Sequence, residues 1–93
     1  MTIEKLYSLI KSRNFTVKIR VETGGRKGKT VTVLDGLPKH EPFLKELLRI
    51  LKQNLGAGGN YSMKKRDGIL EIQGDHRVRI CDFLKGMHFK TKS

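Results

Sequence analysis

Residues 23–30, Thr-Gly-Gly-Arg-Lys-Gly-Lys-Thr, gather three cations and three glycines between two alternating apolar segments, Phe15 to Val21 and Val31 to Leu34. The chemistry such a stretch supports is phosphate recognition at a hairpin tip. Arg26, Lys27 and Lys29 supply charge, while Gly25, Gly28 and the preceding Gly24 let the backbone reach positive φ and approach an anion closely. A merely solvated turn needs far less positive charge. A nucleotide-binding P-loop is excluded on two grounds. The segment between Gly24 and Gly28-Lys29-Thr30 is one residue short of the motif, and the chain continues into a β-branched strand instead of opening a helix.

No other cluster carries chemistry as well. Asp75, His76 and Arg77 have the residue types for acid and base work, but no nucleophile or second carboxylate stands beside them, so a helix start with solvated basic side chains is the better reading. His40, His76, His88 and Cys81 are scattered, with no Cys-x-x-Cys or His-x-x-x-His spacing and no carboxylate pair. Cys81 lies among Val78, Ile80, Phe83 and Leu84 and reads as a small buried apolar residue. Being the only cysteine, it also excludes an intrachain disulfide framework and suits a reducing compartment. No enzyme, no metal and no cofactor are expected.

The bulk composition agrees with a polyanionic partner. The 93 residues allow a single domain with one modest core, and 20 Lys and Arg against nine Asp and Glu give a net charge of +11. The sequence pI is about 10.2. The basic residues are spread through all elements and form no dominant amphipathic helix, which argues against a membrane surface. Met1 to Asn14 lacks the apolar run and small-residue cleavage site of a signal peptide, so a cytoplasmic protein is expected. Self-repulsion at this charge favours a monomer in free solution. Few aromatic residues are available for base stacking, so binding should follow phosphate and RNA shape.

The elements that must position the hairpin follow from periodicity. Ile3, Leu6, Tyr7 and Ile10 recur at helical spacing, which leaves residues 1–13 as an N-terminal helix or a flexible arm ahead of a single domain over 14–93. Phe15, Val17, Ile19 and Val21 alternate with Thr16, Lys18, Arg20 and Glu22 as a half-buried strand, paired with a second from about Thr30 to Leu34 that Asp35-Gly36 stops. Pro38 and Pro42 bracket the entry of a helix whose stripe of Leu44, Leu47, Leu48, Leu51 and Leu55 reads as core, with Gly56 to Gly59 ending it. A third strand near Asn60 to Lys64 turns at Lys65 to Gly68 into a fourth, Ile69 to Gln73. Asp75 is then expected to N-cap a second helix from about His76 to Lys85, with Val78, Cys81 and Leu84 apolar alongside Ile80 and Phe83. Met87 to Thr91 is expected as a last strand. The fold class expected is α+β: a two-layer sandwich, β-β-α-β-β-α-β, with two helices on one face of a four- to five-stranded mixed sheet.

Three blocks of the chain resemble the Sui family, initiation factor one of the eukaryotic and archaeal type, with its bacterial relatives. They are Gly25-Arg26-Lys27-Gly28-Lys29, Leu55-Gly56-Ala57-Gly58-Gly59 and Ile72-Gln73-Gly74-Asp75-His76-Arg77, and the resemblance spans about Phe15 to Lys90. It implies a non-enzymatic factor that binds small-subunit rRNA near the peptidyl site and helps select the start codon and initiator tRNA. The loop matching Gly25, Arg26, Lys27 and Lys29 would approach rRNA and the codon–anticodon region, in contact with mRNA. The basic side of the first helix, Lys45, Arg49 and Lys52, would add rRNA contacts. The second hairpin, with Lys64, Lys65 and Arg66, would lie toward initiator tRNA, and other initiation factors would be neighbours. Three positions depart from the family pattern: the second hairpin is basic where eukaryotic members are acidic, Ala57 replaces a common cysteine, and His88 stands where glycine is usual. The alternative from another class is a general basic RNA-binding or ribosome-associated regulatory protein. The two differ in their dependence on Arg26 and Lys27, which should exceed that on Lys90 and Lys92 only for the specific factor.

Overall fold

The computed structural model describes residues 15–23 and 29–92. Along the chain the elements are β1 (Thr16–Glu22), β2 (Val31–Leu37), α1 (Glu41–Leu55), β3 (Gly59–Ser62), β4 (Gly68–Gln73), α2 (Arg77–Gly86) and β5 (Lys90–Lys92). The strands form one mixed sheet in the order β3-β4-β2-β1-β5, antiparallel except for the β1–β5 pair. The N-terminal helix or arm expected over 1–13 lies outside the described residues.

The period-2 alternation decides which side of the sheet is covered. Val17 and Ile19 of β1, Leu34 of β2, and Leu70 and Ile72 of β4 are buried in one cluster with Phe43, Leu44, Leu47 and Leu51 of α1 and Ile80 and Leu84 of α2. Leu44, Leu47, Leu48 and Leu51 of the leucine stripe are core as expected, Leu55 is only partly buried against it at the helix end, and Phe43, which a count of leucines omits, is fully buried at its head. The Phe43 ring stands edge-on to Phe15 and Phe89, with centroids 6.2 and 6.0 Å away. Pro42 sits in the first turn of α1, where its missing N–H costs least, and the helix ends at left-handed Gly56.

Three expected boundaries and one expected core position are corrected. Asp35-Gly36 does not stop the second strand. β2 runs on to Leu37 through an irregular register between Leu34 and Leu37, and Gly36 at φ +80° allows it, since a Cβ there would lie 2.5 Å from the Thr16 carbonyl oxygen. Turn and bulge draw on the same residue types, and here the pairing partner β4 made the difference. Asp75 is not the N-cap of α2. His76 holds that position without a side-chain cap, while Asp75 accepts from the Arg77 N–H at 3.4 Å from one residue earlier. Val78 is not core but 74% exposed, because it projects about 200° around the helix from Ile80. The last strand is Lys90–Lys92, and Met87 and Phe89 before it are buried as part of the helix exit. The smaller shifts are that β3 ends at Ser62 and β4 begins at Gly68.

His88 takes φ +65°, alone among the described non-glycine residues. Its N–H donates to Lys85 O at 2.9 Å and that of Phe89 to Leu84 O at 3.0 Å, the bond pattern of a helix closed by a left-handed residue. Buried Phe89 and Leu84 supply the apolar contact that accompanies such a closure. Histidine therefore carries left-handed backbone that glycine would take without strain. His88→Gly is expected to stabilise by about 0.5–1 kcal/mol, after the extra entropy of an unfolded glycine is allowed for, and to raise Tm by a few degrees. An unchanged or lower Tm would refute strain at this position.

Candidate nucleic-acid interface

The β1–β2 pair ends at Glu22 opposite Val31, so β1 leaves the sheet and β2 enters it at the same end. Thr23 and Lys29 are exposed there. Gly25, Arg26, Lys27 and Gly28 lie outside the described residues, so the stem of this hairpin, not its tip, defines the site.

The stem is tied into the fold by a run of hydrogen bonds. Gly74 N–H donates to Thr30 O at 2.8 Å, and Gln73 N–H donates to Gly58 O at 2.9 Å. The Thr32 hydroxyl donates to Gly74 O at 2.6 Å and accepts from His76 N–H at 2.9 Å. His76 Nε2 lies 2.9 Å from Gln73 O, an acceptor, so this nitrogen carries the hydrogen. Gly74 stands at φ +98°, and a Cβ there would meet His76 Nε2 at 2.7 Å. Thr30 at the hairpin stem, Gly58 from the block after α1, and Gln73, Gly74 and His76 from the third block thus meet at one end of the sheet. Arg79 strengthens the junction by donating to Asn54 O at 3.1 Å, from α2 to the end of α1.

Thr32 was missed by sequence reasoning. It is fully buried, the one buried polar side chain among the described residues. The available signal was a hydroxyl at an inward position of Val31-Thr32-Val33-Leu34, where period 2 places it on the same face as core Leu34.

The remaining candidate cations occupy other ground. Lys45, Arg49 and Lys52 are all exposed on α1. Lys45 Nζ is 3.6 Å from Glu41, and Arg49 bonds Glu46 at 2.5 Å and Gln53 at 3.2 Å, which fixes its guanidinium along the helix surface. Lys64, Lys65 and Arg66 are exposed in the β3–β4 connection. Antiparallel pairing of β4 with β2 sends that connection to the opposite end of the sheet from the first hairpin. Tyr61 anchors it to α1 by donating to Glu41 Oε2 at 3.0 Å. Loss of solvent first, then that bond, holds the Tyr61 phenol above its ordinary value.

Asp75, Arg77, Val78, Cys81 and Asp82 line an open depression on the outer side of α2. Arg77 faces Asp75 at 3.6 Å and Cys81 Sγ lies 3.5 Å from Thr91 Oγ1. Among the described residues, no three His, Cys, Asp or Glu side chains gather where a metal ion could be held. No helix among them is long and apolar enough to cross a membrane.

Fold and charge together define a class, a small and strongly basic α+β module that carries cationic connections at both ends of one sheet. Residues 13–90 match the family described as translation initiation factor SUI1. The chain is 41% identical over 77 residues to the protein translation factor SUI1 homolog of Hyperthermus butylicus, covering 83% of this chain and 70% of the relative. It is 41% identical over 81 residues to the homolog of Sulfolobus acidocaldarius, covering 87% and 76%. A bacterial relative, the uncharacterised protein YciH of Salmonella typhimurium, is 38% identical over 76 residues, covering 82% and 67%. The chain belongs to the SUI1 translation initiation factor family.

Proposed function

We propose that this protein is a non-enzymatic translation initiation factor that binds the small ribosomal subunit near the peptidyl site and supports start-codon and initiator-tRNA selection. Gly25, Arg26, Lys27, Gly28 and Lys29 grip rRNA and approach the codon–anticodon region of mRNA and tRNA. Lys45, Arg49 and Lys52 add rRNA contacts, and Lys64, Lys65 and Arg66 face initiator tRNA, with other initiation factors alongside. The protein works as a cytoplasmic monomer. The observation that carries this reading is the junction of hydrogen bonds from Gly58 through Gln73 and Gly74 to Thr30, which holds the stem of the cationic hairpin against the rest of the fold. A general polyanion binder has no need of a fixed stem, whereas a factor that reads one site must present its charge in one direction.

The test is a footprint on isolated small subunits with and without initiator tRNA, together with affinity measurements. Protection of the peptidyl-site decoding RNA and saturation at one copy per subunit are expected. Replacing Arg26 and Lys27 with alanine should weaken binding by about tenfold or more, exceeding the loss from replacing the exposed pair Lys39 and Lys85. Equal losses from the two pairs, or coating of the subunit without saturation, would leave general RNA binding as the function.

A further inference from the structure

The side of the sheet away from the helices carries its own charge pattern, set by register. Val17 and Thr91 are paired and face the helices, Val17 in the core cluster and Thr91 against Cys81. Their neighbours Thr16, Lys18, Lys90 and Lys92 therefore point the other way, and all four are exposed. Lys18 stands directly beside Lys92, and Lys90 follows on the same face. Like charges so placed across two strands repel and lower stability.

Among the described residues, no carboxylate forms an ion pair that relieves this repulsion. Asp35 is the register partner of Lys18 on its other side, but its carboxylate is engaged by the Gly36 N–H at 2.7 Å and by Arg20 at 3.4 Å. Glu22 is likewise held by Arg20, at 2.8 Å. Among the described residues, Lys18, Lys90 and Lys92 have no ion pair. This face thus divides into a half where Arg20 is neutralised by carboxylates and a corner of three ammonium groups that have no carboxylate partner among the described residues.

We propose that this corner is a second RNA-docking surface that takes the phosphate backbone, separate from the cationic hairpin. The inference rests on the proposed ribosomal role. Lys18 lies four residues from the hairpin end of β1, about 13 Å along the strand, and on the opposite face of the sheet from α1. The corner therefore meets RNA that α1 does not reach. Its occupant is phosphate and not a protein because, among the described residues, no exposed large apolar or aromatic anchor accompanies the lysines. Val33 on that face is 2% exposed, and the one large apolar side chain exposed among the described residues, Val78, belongs to α2. Lysines present point charges that suit phosphate without requiring a fixed fork geometry.

The competing explanation for Lys90 and Lys92 is protection of an edge strand from pairing with another copy. It does not account for Lys18, which lies on β1, between β5 and β2.

The experiment compares the full-length double variant Lys18→Gln/Lys92→Gln with the equally charged control Lys39→Gln/Lys85→Gln, both checked for a cooperative melting transition no lower than that of the unmodified protein, the corner variant being expected to melt somewhat higher once the repulsion is removed. Lys39 and Lys85 are exposed. Affinity for purified small subunits is measured across a salt series. The corner variant is expected to bind about three- to tenfold more weakly near physiological salt, with the slope of log affinity against log salt reduced by about 2, while the control changes neither appreciably. Equal effects of the two variants overturn the proposal in favour of bulk charge. Self-association of the corner variant with unchanged ribosome affinity overturns it in favour of edge protection. Loss of binding to polyglutamate with RNA binding intact would make the surface a protein contact and also overturn it. Failure of the unmodified protein to bind small subunits would instead refute the ribosomal role itself.

Discussion

Phe43→Ala is expected to lower stability by about 3–5 kcal/mol, the largest loss from any single change considered. Phe43 has no exposure and opens α1, so its ring is held where the helix meets the sheet. It stands edge-on to Phe89, and Phe15 completes the trio at 5.5 Å from Phe89. Phe15 precedes β1 and Phe89 precedes β5, so one ring fixes the approach of both members of the parallel pair. Alanine would remove the aromatic contacts and leave a cavity whose walls belong to three different elements and cannot close together. A domain of this length has about 5–14 kcal/mol of total stability, so the variant should lose about a fifth or more of it and melt at least about 12 °C lower. Phe43→Leu keeps most of the volume and should cost less than half as much. Denaturant midpoints for the two variants measure the difference. A loss below about 1 kcal/mol for alanine would show that the aromatic trio does not fasten these strands.

Much of this architecture was legible from the sequence because the relevant signals are local. Alternation in Phe15 to Val21 marked β1, and the leucine spacing marked α1 and its buried side. Readings failed where one residue type serves two purposes. Asp35-Gly36 has the composition of a turn and forms a bulge, since only pairing with β4 decides whether the strand continues. Val78 looked like core because α2 is apolar on more than one side, and sequence spacing does not say which side the sheet covers. The candidate site was legible in its charge and not in its support. Arg26 and Lys27 are conspicuous as residues, but the contacts from Thr32 to Gly74 and His76 span more than forty positions and leave no local pattern. His88 was an intermediate case, since its departure from the family's usual glycine marked the position and the backbone showed why glycine suits it.

Thr32→Val is expected to cost about 2–4 kcal/mol although the side chains are nearly the same size. The methyl groups pack alike, so the loss comes from hydrogen bonding alone. Valine leaves Gly74 O without the hydroxyl that donates to it at 2.6 Å, and His76 N–H without the acceptor at 2.9 Å. Each polar group stranded in a largely dry setting costs about 1–3 kcal/mol, and neither can turn to water without opening the turn. Thr32→Ser keeps both bonds and loses one methyl, so it should cost about 1 kcal/mol. The pair of variants therefore separates hydrogen bonding from packing at one atom. The same bonds hold Gly74 beside Thr30, where its N–H donates at 2.8 Å to the stem of the cationic hairpin. Amide hydrogen exchange should thus accelerate together at residues 29–31 and 74–77 in the valine variant and remain near its original rate in the serine variant. If small-subunit binding depends on a fixed stem, the valine variant should also bind more weakly under conditions where it remains folded, and serine should restore the affinity. Acceleration confined to residues 74–77 would mean that the turn is anchored to the hairpin without governing it, and the stem would then owe its position to β1–β2 pairing alone.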